Sequence, residues 1–200
     1  MKHFSLRHFL ILIITLLVGG PVIVSAASDT ENTTINASLG STITLASSGT
    51  VNISLTPTAS GSMSSSDDTV EVATNNATGY TLTLANGDGN TNLVNGGNTI
   101  AADSGTQASP SSSLTNNRWG YRIDGLGGFG SGPTSAEVDE SSSAYSWAGI
   151  PASSAPNTIR TTNAALGSSI TTVWFGVKAD TSKPNGTYSD TVTYTATTNP

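Results

Sequence analysis

Apolar side chains recur at every second residue in several short stretches, and this two-residue period constrains the fold more than any other feature of the chain. Threonine fills many of the positions between them, which suits a β-branched polar side chain on a solvated sheet face. Beyond residue 26, no window shows a convincing helical period. The pattern predicts strands buried on one side, around Val51/Ile53/Leu55, Val70/Val72, Tyr80/Leu82/Leu84, Val173/Phe175/Val177 and Val192/Tyr194/Ala196.

Further short strands are expected at Ile43/Leu45, Tyr121/Ile123 and Ile159. Short strands with one apolar face, separated by Asn, Gly, Ser and Pro clusters, are typical of two antiparallel sheets packed face to face. The sequence therefore predicts an all-β, antiparallel, immunoglobulin-like two-sheet sandwich with long loops. We expect residues 27–200 to form it as a single domain.

Two turns rich in Asn and Gly, at residues 75–79 and 182–186, predict hairpins between the strands on either side. Asn and Gly supply the positive φ that a tight reversal requires. The second turn continues as Pro184-Asn-Gly-Thr-Tyr188. This pattern predicts a tyrosine corner, in which the phenol hydrogen bonds to backbone a few residues upstream.

The first 26 residues have the features of a secretory signal peptide. Lys2 and Arg7 precede the apolar run of residues 9–18, and Val24-Ser-Ala26 has the residues that signal peptidase reads before its cleavage site. The apolar stretch is broken by Gly and Pro and is short for a membrane span. We expect residues 1–26 to be removed and the protein to be secreted or held at the cell surface, with membrane attachment only through an uncleaved leader.

Charged residues make up only 10% of the chain, whereas Ser, Thr and Asn account for 77 of its 200 residues. Without the leader, five basic and 13 acidic residues remain, a net charge of −8. This balance argues against nucleic acid as a partner, because such binding needs a clustered positive surface. The chain has no Cys, and both His residues lie in the leader. Catalysis would have to rest on paired carboxylates, and no pair of acidic residues has a distinctive spacing. We therefore expect the protein not to be an enzyme.

Three aromatic residues are the candidates for a ligand-binding surface: Trp119, Tyr121 and Trp147. The first two open a strand after a long loop, and Trp147 follows a Ser-rich stretch. Trp174 lies in a strong strand, on the face opposite its apolar neighbours. Because exposed aromatic rings near Asn and Asp hold sugar rings in many sandwich modules, a carbohydrate-binding module is the alternative function. The other interpretation is that these rings fill or close the core.

Asp88, Asn90 and Asn92 place oxygen-bearing side chains at the first, third and fifth positions of a loop, a spacing that can wrap Ca²⁺. The later positions of an EF-type loop do not match, since Leu93 and Thr99 stand where Gly and Glu are required. A polar Asn/Gly turn is the other interpretation. We expect no cofactor, and calcium at these three residues is the alternative.

The final segment, residues 175–197, is similar to the closing hairpin of bacterial surface modules such as WxL-type wall-binding domains and spore-coat-U-like domains. With residues 75–84 and 117–121, the layout also resembles secreted proteins of candidate-phylum bacteria. The resemblance implies an immunoglobulin-like sandwich at the bacterial envelope, with cell-wall polysaccharide, other surface proteins or further copies as partners. The chain has no Trp-x-Leu motif. A non-enzymatic envelope module with a structural, adhesive or wall-associated role is the function expected.

Overall fold

The computed structural model describes residues 28–200, so the expected signal peptide lies outside the described residues. This part of the chain contains no helix, and therefore no apolar helix able to cross a membrane. The prediction of an all-β protein is confirmed. Its nine strands are β1 (Ile43–Ala46), β2 (Ser62–Thr74), β3 (Tyr80–Asn86), β4 (Leu93–Asn95), β5 (Asn98–Ala102), β6 (Arg118–Arg122), β7 (Asn157–Thr161), β8 (Leu166–Ala179) and β9 (Val192–Thr198).

The strands form two sheets in a sandwich-like arrangement. The large sheet has six strands in the order β1-β2-β8-β6-β5-β4, and the small sheet has three in the order β7-β3-β9. Every pair is antiparallel except β5 with β6. The longest pairing joins β2 to β8, from Ser62 opposite Ala179 to Thr74 opposite Leu166. Residues Leu39–Pro200 form this compact unit, and residues 28–38 contain no strand.

The main core is built from the apolar residues of both sheets that alternate inward along their strands. Removal of each such side chain from water contributes roughly 1.5–3 kcal/mol. The Tyr80 hydroxyl on β3 donates a hydrogen bond of 2.7 Å to Ser169 Oγ on β8, which ties the small sheet to the large one. The buried residues at the centre of this core are Val70, Val72, Leu82, Leu84, Ile159, Val173 and Phe175.

The stretch around Val51, Ile53 and Leu55 is not a strand, and the prediction of one there is wrong. These three side chains do pack against the main core, and the residues between them are exposed. However, no described residue forms a backbone–backbone hydrogen bond with residues 50–57. The Thr56 N–H instead donates to Asp139 Oδ1 at 2.6 Å. An alternating apolar pattern in the sequence indicates which side chains are buried. It does not require that the backbone pair with another strand.

The two predicted hairpins are connections between sheets. Residues 75–79 join β2 of the large sheet to β3 of the small sheet, and the chain after β8 likewise crosses to β9. The expected turn chemistry is nevertheless present, because Gly79 and Gly186 have φ values of 79° and 142°. The Tyr188 hydroxyl donates to the Pro184 carbonyl at 2.9 Å, so the predicted tyrosine-corner hydrogen bond is confirmed.

A long loop, residues 124–150, crosses one half of the outer face of the large sheet, and we call it the cover loop. Glu140 pairs with Met63 at the edge of β2, and Ala148 pairs with Tyr121 at the edge of β6. Between these anchors, Trp147 packs with Met63 and Leu114 in a second buried cluster. The cover loop therefore buries one half of a sheet face whose other half stays open.

Candidate functional site

Trp119, Tyr121 and Trp147 do not form an exposed platform. Their exposed fractions are 4%, 0% and 0%. Trp119 and Tyr121 alternate inward along β6 into the main core, whereas Trp147 belongs to the second cluster under the cover loop. The expectation that these rings are exposed is corrected, because strand alternation and the cover loop direct all three into the interior.

Tyr121 is held as a neutral hydrogen-bonding group of the core. Burial raises its pKa from 10.0 to about 12, although a hydrogen bond from Asn157 lowers it in part. The hydroxyl donates to Gln107 Oε1 at 2.9 Å and accepts from Asn157 Nδ2 at 2.7 Å. The ring packs edge-on against Phe129 with centroids 5.4 Å apart. The Tyr121 hydroxyl thus already has both a hydrogen-bond acceptor, Gln107, and a donor, Asn157.

The candidate calcium loop is a series of Asx turns. Asn86 Oδ1 accepts from the backbone N–H of Asp88, Asp88 Oδ1 accepts from that of Asn90 at 2.8 Å, and Asn90 Oδ1 accepts from that of Asn92 at 3.2 Å. Side-chain oxygens thus replace backbone partners in the turn. The described residues contain no group of three or more acidic, His or Cys side chains that could hold a metal ion. Calcium binding at Asp88, Asn90 and Asn92 stays the untested alternative.

Glu137 belongs to the cover loop, and its buried carboxylate holds that loop together. Ser143 Oγ donates to Glu137 Oε2 at 2.7 Å, and the backbone N–H of Ala144 donates to Oε1 at 2.7 Å. The indole Nε1 of Trp147 in turn donates to Ser143 Oγ at 2.7 Å. The carboxylate thus accepts hydrogen bonds from Ser143 and Ala144, and Ser143 links it to Trp147.

Arg122 is buried beside the cover loop on the outer face of the large sheet. Its Nη2 donates to Asp124 Oδ1 at 2.8 Å, the one ion pair among residues 28–200. The guanidinium carbon lies 4.6 Å from the centroid of the Tyr145 ring, within range of a cation–π interaction. Burial alone would raise the pKa of Asp124, but hydrogen bonds from Thr134 and Arg122 outweigh it and hold that pKa below its usual 3.8.

Trp174 lies at the boundary between the covered and open halves of this face. It is partly buried and packs at the margin of the second cluster, as does Tyr145. Sequence reasoning placed Trp174 on the face opposite the core but assigned it to no site. Beyond it the face is open. We call its outward residues the open strip, which consists of Trp174, Thr172 and Ile170 on β8 beside Asp67, Thr69 and Glu71 on β2.

A shallow groove of about 290 Å³ lies against the small sheet. Hydroxyl, amide and apolar groups line it, including Thr83, Thr193, Thr195, Asn86, Ser153 and Pro156. The amide of Asn86 is already engaged, since Nδ2 donates to Asp190 Oδ2 at 3.0 Å. The residues that line the groove offer hydroxyl and amide groups, and none of them is acidic or basic.

Comparison with known proteins shows no matching family model, no similar curated protein and no similar solved structure.

Proposed function

We propose that the mature chain is a secreted or cell-surface, non-enzymatic structural or adhesive module of the bacterial envelope, with an immunoglobulin-like sandwich. The observation that supports this most is the unpaired edge of the small sheet. Within the described part of the chain, β9 pairs only with β3, and none of its seven residues is charged or proline. Natural proteins usually block such edges with Lys, Pro or bulges, because an open edge pairs with other chains.

Residues 33–39 (Thr-Thr-Ile-Asn-Ala-Ser-Leu) could supply the added strand. Ile35 and Leu39, with Ala37 between them, repeat the two-residue alternation, and they are 88% and 84% exposed. Residues 33–46 carry no charge and no proline, and residues 28–42 contain no turn or bend. An extended uncharged segment that exposes apolar side chains favours addition to the open sheet edge of another copy or another surface protein.

The non-enzymatic part of the proposal draws on how three carboxylates of the loops are used. Glu137 and Asp124 bind donors that fix the cover loop. Asp103 accepts from the Gly105 N–H at 2.8 Å and from the Ser111 hydroxyl, which fixes the loop before β6. Each of these carboxylates is occupied in shaping the loops, as in a scaffold.

Sedimentation velocity of residues 27–200 at rising concentration tests the association. We expect oligomers that weaken when Ile35→Asp and Leu39→Asp are combined, because two charges would have to be buried in the added strand. Val138→Asp is the matched control, since Val138 is 70% exposed on the cover loop. A strict monomer at every concentration contradicts self-association, and an equal effect of the control contradicts the assignment to residues 33–39.

Fractionation of the host tests the location. We expect the mature chain in the medium or the envelope, cut after Ala26, and accessible to antibody on intact cells. Recovery of the full-length chain from the cytosol contradicts the proposal.

A further inference from the structure

We propose that the open strip is a binding site for a neutral pyranose polysaccharide, with the indole of Trp174 as its stacking surface. This inference does not depend on association through β9, which lies in the other sheet.

The open strip consists of two columns in register. Asp67 is opposite Trp174, Thr69 opposite Thr172, and Glu71 opposite Ile170. Alternate residues of a strand are about 6.7 Å apart and neighbouring strands about 4.8 Å apart. Each column thus extends about 13 Å, room for a short run of sugar rings laid along β8. One column presents apolar and hydroxyl groups, and the other presents carboxylate and hydroxyl groups.

The end of the open strip at Trp174 is rigid. Arg122 on β6 pairs with Trp174 on β8, and its guanidinium carbon lies 4.6 Å from the centroid of the Tyr145 ring. The Tyr145 hydroxyl accepts from the Ser135 N–H at 3.1 Å, which fixes the ring from its other end. Trp174 and Tyr145 both pack against the second cluster, so little side-chain entropy would be lost when a ligand packs on Trp174.

The chemistry of the open strip favours a sugar over a protein partner. A pyranose ring has an apolar C–H face, which packs on an indole, and hydroxyl groups around its edge, which pair with carboxylate and hydroxyl groups. A stable protein interface usually buries about 800 Å² per partner around an apolar centre. Here the apolar groups, Trp174 and Ile170, are separated by Thr172, which suits a ligand that alternates apolar and polar surface.

The charge of the open strip selects among polysaccharides. Asp67 and Glu71 are its two charged residues, and Ser168 Oγ donates to Glu71 Oε1 at 2.6 Å. Arg160 reaches the far end, where its Nη1 donates to the Ile170 carbonyl at 3.3 Å. With two carboxylates and one guanidinium, the open strip carries a net negative charge and repels an anionic polymer. An uncharged ligand such as a glucan or an N-acetylated polysaccharide therefore fits best.

Two measurements test the site. In affinity electrophoresis, hydroxyethyl cellulose or glycol chitin in a native gel should retard the protein. In fluorescence, acrylamide quenching should report on Trp174, because the other two tryptophans are buried. An oligosaccharide of the retarding polymer should protect Trp174 from the quencher. We expect Trp174→Ala to weaken binding about tenfold or more, and Trp174→Phe to keep most of it.

Because Trp174→Ala also removes packing, a second pair of variants separates binding from folding. Thr172→Glu changes an exposed residue within the open strip, and Thr161→Glu changes an exposed residue on β7 of the small sheet, away from β9. We expect only the first to abolish retardation. The proposal is overturned if neither neutral polymer retards the unaltered protein, if only polygalacturonate retards it, or if the two variants behave alike.

Discussion

Gly176 lies directly beneath the indole of Trp147. A Cβ atom on Gly176 would come within 2.8 Å of Trp147 Cη2 and 2.6 Å of Met63 Cε. Gly120 on β6 pairs with Gly176 and leaves room in the same way for the Ala148 carbonyl. Because these two paired glycines have no side chains, the cover loop can pack directly against the backbone of the large sheet at this point.

Gly176→Ala should destabilise the protein by about 1–3 kcal/mol, because the added methyl group overpacks the second cluster. Urea unfolding followed by tryptophan fluorescence measures this loss. Gly167→Ala is the matched control, since Gly167 lies in the same strand with open space around its Cα. Equal losses in the two variants would show that Trp147 does not pack tightly on Gly176.

Glu137→Ala should lower the free energy of unfolding by about 2–3 kcal/mol, because it leaves the Ser143 hydroxyl and the Ala144 N–H without their buried acceptor. The near-ultraviolet dichroism of Trp147 should weaken with it. Glu140→Ala, at an exposed side chain of the same loop, is the control. If the two variants are equally stable, Glu137 does not hold the cover loop.

Features that depend on neighbouring residues could be predicted from the sequence. Leu82, Val173 and Phe175 lie on the buried face of their strands as alternation indicates. The tyrosine-corner bond also follows from a local pattern, because Tyr188 and Pro184 are four residues apart. The burial of alternate side chains requires only that a strand lie on a core, so it can be read from one strand alone.

Features that depend on distant residues could not be predicted. The composition of residues 75–79 predicts a reversal but does not say in which sheet the next strand lies. Trp147 is buried because Gly176 leaves room for its indole and Met63 packs beside it. Nothing near Trp147 in the sequence indicates that space. The open strip is likewise defined by where the cover loop ends. Its one local signal was the outward position of Trp174.

Asp124 should stabilise the fold at neutral pH and lose that effect in acid. Its pKa in the folded protein lies below the usual 3.8, so its contribution is present above that value and is lost as the pH falls through the folded pKa. Asp124→Asn should therefore melt below the unaltered protein at pH 7, with the difference closing below about pH 4. Melting curves from pH 7 to pH 2 measure this. A difference that is independent of pH contradicts it.

Asp190 should have the opposite effect on stability, and destabilise the fold at neutral pH. Burial raises its pKa above 3.8, and the nearby charge of Asp88 adds to this, although the Thr191 N–H and Asn86 lower it in part. The ionised form is therefore disfavoured in the folded state above the folded pKa. We expect Asp190→Asn to melt higher than the unaltered protein at pH 7, with the gain disappearing below pH 3.8. A lower melting temperature at pH 7 would show that the hydrogen bonds of Asp190 outweigh its burial.

The loop at Asp88 should be stable without calcium. In protein sites Ca²⁺ takes roughly six to eight oxygen ligands. Here Asp88 Oδ1 and Asn90 Oδ1 already accept hydrogen bonds from backbone N–H groups. We expect EDTA and millimolar Ca²⁺ to leave the melting temperature unchanged. Asp88→Ala should cost only about 1 kcal/mol, the net value of one hydrogen bond. Asp180→Ala is the matched control, because Asp180 Oδ1 accepts from the Ser182 N–H in the same kind of turn. A rise in melting temperature with Ca²⁺ that Asp88→Ala removes and Asp180→Ala keeps would establish the calcium site after all.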